Sequence, residues 1–137
     1  MPDPKVFSHV PARLLAWLRL ANDASGSNDP VDAIRDYYMI WEDMHPAWKI
    51  QDGPAEATDL KLTRDFVSHG GKLKNKDVLD FVERNLGRRI EQFDPTDRAQ
   101  QQFVSSQRKS ARDLIEAELD KLLRTDESPP LPGSRCA

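Results

Sequence analysis

DPVDAIRDYYMIWEDMHP, residues 29–46, reads as one complete helix with its start and stop written in. Asp29 followed by Pro30 is an N-cap and first-turn pair: the carboxylate accepts a free N–H, and proline fixes φ where its missing donor does no harm. Val31, Ile34, Tyr38 and Trp41 then recur at spacings of three and four, which places them on one face of an α-helix. The run ends near Met44, because Pro46 biases His45 away from helical dihedrals.

The same periodicity extends outward in both directions. A first helix is predicted over 11–21, where Val10, Leu14, Trp17, Leu18 and Ala21 share a face, and NDASGSND (22–29) should break it. A third is predicted over 56–68, stopping at Gly70-Gly71, since glycine tolerates the left-handed turn at a helix end. Asn75 caps a fourth, carried by Val78, Leu79, Val82 and Leu86 to Gly87. Asp94-Pro95 opens the last and longest, with Phe103, Ala111, Leu114, Ile115, Leu119 and Leu122 continuing to Arg124, although QQQ and SSQRKS make its first half polar. Strand alternation is absent. The expected fold is all-α: a single-domain antiparallel helical bundle of about five helices over residues 1–124, followed by a disordered tail, 125–137, with three prolines and little to bury. Trp17, Tyr38, Trp41, Phe66, Phe81 and Phe103 are the side chains expected to fill its interior, and Trp48 and Ile50 should pack from the connection.

Length and composition agree with this. At 137 residues the chain is one ordinary domain, and with 31% charged against 38% apolar residues its core must come from amphipathic faces. No membrane span is expected, and MPDPKVFSHVP lacks the basic and apolar segments of a secretory signal, so a cytoplasmic location is expected. The single cysteine, Cys136, can form neither an internal disulfide nor a zinc site. A net charge of −3 argues against indiscriminate nucleic-acid coating, but between Lys61 and Arg89 eight basic residues face four acidic ones. That basic middle in an acidic chain is where a phosphate-bearing ligand would bind.

Within it lies RDFVSHGG, residues 64–71. Asp65 and His69 stand four apart, about one helical turn, close enough for a carboxylate to orient an imidazole, and Arg64 and Ser68 form the same kind of pair beside them. Histidine moves protons near neutral pH and arginine offers a planar fork to phosphate oxygens, so the set suffices for phosphodiester chemistry. A polar helix end would use the same residues differently, with His69 capping carbonyls and favouring the dipole.

Arg64-Asp65-Phe66-Val67-Ser68-His69 resembles the R-x4-6-H motif of HEPN (higher eukaryotes and prokaryotes nucleotide-binding) domains, small all-helical proteins in which the residue after the arginine is usually Asn, Asp or His. Gly70-Gly71 after the histidine fits the same pattern. The resemblance implies metal-independent RNA cleavage, with no cofactor, by attack of the ribose 2′-OH on the adjacent phosphate. It implies His69 for proton transfer, Arg64 for the charge developing on phosphorus, and Asp65 to orient them. It also implies a homodimer with the active site at the interface and, for a toxin or defence component, a nucleotidyltransferase-like antitoxin. Lys72, Lys74, Lys76, Arg88 and Arg89 are the candidates for holding RNA backbone, or else solvated surface charges. A catalytically silent module that dimerises or docks on a partner is the alternative reading. His9 and His45 lie at element boundaries and read as structural, and the Glu42/His45 spacing lacks the second Glu-x-x-His that a di-iron bundle needs.

Overall fold

A computed structural model describes residues 12–68 and 71–127. These form five α-helices and no strand: α1 Ala12–Gly26, α2 Pro30–Met44, α3 Ala55–Ser68, α4 Lys76–Leu86 and α5 Arg98–Glu127, with a single 3-10 turn, Ile50–Asp52, between α2 and α3. The all-α single-domain bundle anticipated from periodicity is therefore what the described residues build. Among them no helix is long and apolar enough to cross a membrane.

α2 is the organising element and packs against α1, α3 and α5. The Asp29 side chain accepts the Val31 N–H at 2.9 Å, Pro30 occupies the first turn, and the His45 N–H closes the far end on the Trp41 carbonyl. With neighbours on three sides, α2 buries more than a single stripe: Ala33, Ile34, Tyr37, Tyr38, Ile40 and Trp41 are all inside. Tyr37, which the sequence left off the apolar face, is fully buried because its hydroxyl finds Ser25 Oγ at 2.9 Å. Phe66 meets Phe93 and Phe103 edge-on, with ring centroids 5.1 and 6.3 Å away, and Phe81 lies 5.6 Å from Phe103. Trp17 is only half-buried, and Trp48 and Ile50 pack against the core as partly buried residues.

Three boundaries differ from the sequence reading. α1 does not break at 22 but continues to Gly26. Ala24 is completely buried, and the Arg108 guanidinium reaches over from α5 to the carbonyls of Ala24 (2.8 Å), Ser25 (3.2 Å) and Ser27 (2.6 Å). α5 does not open at Asp94-Pro95. Asp94 instead builds a turn, accepting the Thr96 N–H (2.9 Å) and hydroxyl (2.6 Å), while Asp97 accepts the Gln100 N–H at 3.3 Å and caps the helix that begins at Arg98. α5 also runs past Arg124 to Glu127, taking three residues from the expected tail; residues 128–137, like 1–11, lie outside the described residues.

The polar first half of α5 is explained by what its side chains hold. Gln100 is buried and accepts the Asp94 N–H at 2.8 Å, Gln107 faces the buried Thr63 hydroxyl at 3.4 Å, and Arg108 caps α1. Between α3 and α5, the Leu73 N–H bonds the Glu91 carbonyl at 2.6 Å, so the segments flanking α4 are tied together.

Candidate functional site

The last turn of α3 divides by helical spacing. Thr63, Phe66 and Val67 point into the core, which leaves Arg64, Asp65 and Ser68 on the outward side. His69 and Gly70 lie outside the described residues.

Arg64 and Asp65 are brought together, and neither is freely exposed: their side chains retain 33% and 26% of their accessible surface. Arg64 Nε stands 3.1 Å from Asp65 Oδ1, and Lys61 Nζ donates to Asp65 Oδ2 at 2.9 Å, so one carboxylate holds two cations. The Nε approach is a charge contact only, since this buried nitrogen lacks the alignment for a hydrogen bond. The guanidinium carbon lies 4.5 Å from the centroid of the Tyr38 ring, which makes α2 the platform on which Arg64 rests. Burial, and then the Glu42 carboxylate, push the Tyr38 hydroxyl above its ordinary value of 10, against the opposing pull of Lys61 and Arg64. Tyr38 is therefore a neutral aromatic face at physiological pH, as a cation–π contact requires.

A second arginine reaches the same turn from α2. Arg35 Nε donates to Ser68 Oγ at 3.0 Å, and its guanidinium is 3.6 Å from Asp32. The sequence holds no local signal for this contact, because Arg35 and Ser68 are 33 residues apart. The Lys61 contact, by contrast, is an i,i+4 pair that spacing alone could have supplied.

Among the candidate backbone-binding residues, Lys74 shares an open groove of about 310 Å³ with Asp65, Ser68 and Asn75. Lys72 and Arg89 converge on Glu91, at 3.3 and 3.4 Å, and hold its carboxyl below the usual range. Arg88 pairs with Asp97 at 3.0 Å, and Lys76 is exposed at the start of α4. Exposed ion pairs of this kind contribute little, so a phosphate could displace their carboxylates. Elsewhere, His45 Nε2 lies 2.9 Å from Glu118 Oε1 with its ring 4.2 Å from that of Trp41, which fastens the end of α2 to α5. Among the described residues no group of three or more His, Cys, Asp or Glu side chains is placed to hold a metal ion.

The described residues thus define an all-α helical bundle with a cation-rich turn at the end of α3. No protein-family model matches the chain, and neither does any curated protein or solved structure.

Proposed function

We propose that this chain is a metal-independent endoribonuclease of HEPN type, acting as a homodimer and serving as a toxin or defence component. The observation that carries the reading is the last turn of α3: Arg64, set on Tyr38 and beside Asp65, stands one helical turn before Ser68 and, in sequence, five residues before His69. Such an arginine is held in a fixed orientation beside Asp65, which lines the groove, and this supports a role in stabilising charge on a phosphorane. In the reaction the 2′-oxygen bonds to phosphorus and loses its proton to a base, while the bond to the 5′-oxygen breaks and that oxygen is protonated. His69 is the residue assigned to proton transfer and Asp65 the one that orients it. The HEPN-like character of the bundle, the RNA substrate, an active site shared between two copies and a nucleotidyltransferase-like antitoxin all belong to this proposal.

The test is incubation of purified protein with RNA at neutral pH in EDTA. The wild type should cut, leaving cyclic phosphate and 5′-hydroxyl ends, and should spare DNA, which lacks the attacking hydroxyl. Folded Arg64→Ala and His69→Ala variants should lose roughly a hundredfold or more of the rate. A second reading, a catalytically silent docking module, draws on the same turn, because Lys61, Asp65, Arg64 and Tyr38 contact one another as they would at a purely structural helix end. RNA left intact by folded wild type would favour that module.

A further inference from the structure

We propose that the trough around the end of α3 is a binding subsite for single-stranded nucleic acid, taking the nucleotide adjacent to the linkage that is cut. Two open grooves meet there. One, of about 310 Å³, includes Ser68 and Lys74; the other, of about 420 Å³, includes Tyr38, Trp48, Lys49 and Gln51. Both are lined by Asp65 and Asn75, so they join into one path past the Arg64 turn. An elongated, open path built from α2, the 3-10 segment, α3 and the start of α4 suits a strand better than a compact ligand, which wants enclosure.

The chemistry along the path is that of a strand binder. Trp48 supplies an aromatic wall: its ring meets Trp41 edge-on at 5.8 Å and its N–H is held by the Gly53 carbonyl, so the indole is fixed in place. A fixed indole is a stacking surface for any base. Lys49 and Lys74 are exposed towards opposite parts of the trough and form no ion pair with described residues, which leaves both for phosphates. The Asn75 side-chain oxygen Oδ1 is occupied by the N–H groups of Asp77 and Val78, at 2.9 and 3.2 Å, so its side-chain NH2 remains to donate to the ligand.

Charge decides between single strand and duplex. Lys61 and Arg64 neutralise Asp65, while Glu42 and Asp77 in the wall offset Lys49 and Lys74. The trough is therefore only slightly positive. It lacks the wide basic field that duplex binding draws on, and a duplex hides the base faces that Trp48 would stack. The position of the cut rests on the ribonuclease reading; strand binding by the trough does not.

Fluorescence anisotropy with a labelled six-nucleotide 2′-O-methyl RNA, which has no free 2′-OH to attack, tests this. Wild type should bind, and a duplex of the same sequence should bind at least about tenfold more weakly. Lys49→Ala with Lys74→Ala should weaken binding by about tenfold and lower the salt slope by about 0.7 for each lysine. Lys109→Ala, on the exposed side of α5, should change nothing. Trp48→Leu should also lose about tenfold; the lysine variants carry the test alone should that variant fail to fold. No binding by wild type, or lysine variants that bind like Lys109→Ala, overturns the proposal. RNA cleavage measured in parallel separates the two ideas: cleavage with binding unchanged in the lysine variants sinks the subsite alone, whereas lysine-dependent binding without cleavage sinks the nuclease alone.

Discussion

α4 and the last described turn of α3 are held in different ways. α4 closes both ends with residues that flank it: the Asn75 side chain accepts two N–H groups, and Gly87, at φ 76°, turns left-handed while its N–H returns to the Glu83 carbonyl. Among the described residues the final turn of α3 is held from outside, by Tyr38 under Arg64 and Arg35 on Ser68, both from α2. α1 belongs with α3, since Arg108 of α5 covers its last carbonyls. A helix end that needs another helix is set only after tertiary packing, so its side chains are fixed by the whole fold. That is the condition under which an exposed polar group becomes preorganised.

The strongest way to break this contrast is to remove the outside support of α1. Arg108→Ala leaves the buried Ala24 carbonyl with only the long Ser27 N–H contact, 3.3 Å, and removes the charged donor from the Ser27 carbonyl, and should destabilise the protein by about 2 kcal/mol, the range for hydrogen bonds to charged groups. Urea unfolding measures it, and Arg108→Lys should recover only part of the loss, because all three carbonyls are met by the terminal Nη2, which the shorter lysine side chain does not reach in the same pose. An unchanged midpoint would mean that Ala24 burial alone carries α1 through to Gly26.

At α3 the corresponding change is Tyr38→Leu, read as activity at matched folding. Without the ring, Arg64 loses a cation–π contact worth up to about 1–2 kcal/mol in a partly desolvated place, so the proposed RNA cleavage should fall roughly tenfold. Tyr38→Phe keeps the face and should keep the rate. Equal losses in both would shift the role from the ring to the hydroxyl.

α4 supplies the locally written control. Asn75→Ala should cost about 1 kcal/mol of stability, the usual effect of losing a cap. The value is readable from unfolding midpoints without reference to any other helix.

This contrast also explains how much was legible in the sequence. Asp29-Pro30, Asn75 and Gly87 are local devices, and each lies where spacing and capping chemistry put it. The five-helix bundle follows from apolar periodicity, because burial acts on whole faces. The continuation of α1 was hidden, since NDASGSND carries breaker residues and the side chain that overrides them is Arg108, 84 residues from Ala24. Asp94-Pro95 misled because Asp97, three residues on, offers the same cap and its carboxylate also meets Arg88. At the candidate site the Arg64/Asp65 pair was legible as neighbours on one helix turn. Tyr38 was legible only as core, and Arg35 not at all: which faces of α2 and α3 meet is a property of packing, not of either segment.

The smallest expected effect comes from α2's own half-buried edge, where the Asp36 charge is placed without a local partner. Burial, reinforced by Asp32 and Asp23, raises the Asp36 carboxyl above its ordinary 3.8. A raised acid binds its proton more tightly in the folded state, so its contribution is fully present below pH 3.8 and is lost as pH rises through the higher folded value. At neutral pH the ionised Asp36 is thus a small burden, and Asp36→Asn should stabilise the protein by about 0.5 kcal/mol, less in high salt. The gain should shrink as pH falls and vanish below about pH 3.8, where both folded and unfolded Asp36 are protonated. Urea midpoints of wild type and variant at pH 7 and pH 3.5 decide the matter, because Asp43, Glu91 and Asp94, whose carboxyls are lowered, affect both proteins alike and cancel in the difference. A gain that persists at the acid end would mean that the asparagine side chain packs better, and that the repulsion from Asp32 and Asp23 is already screened by water.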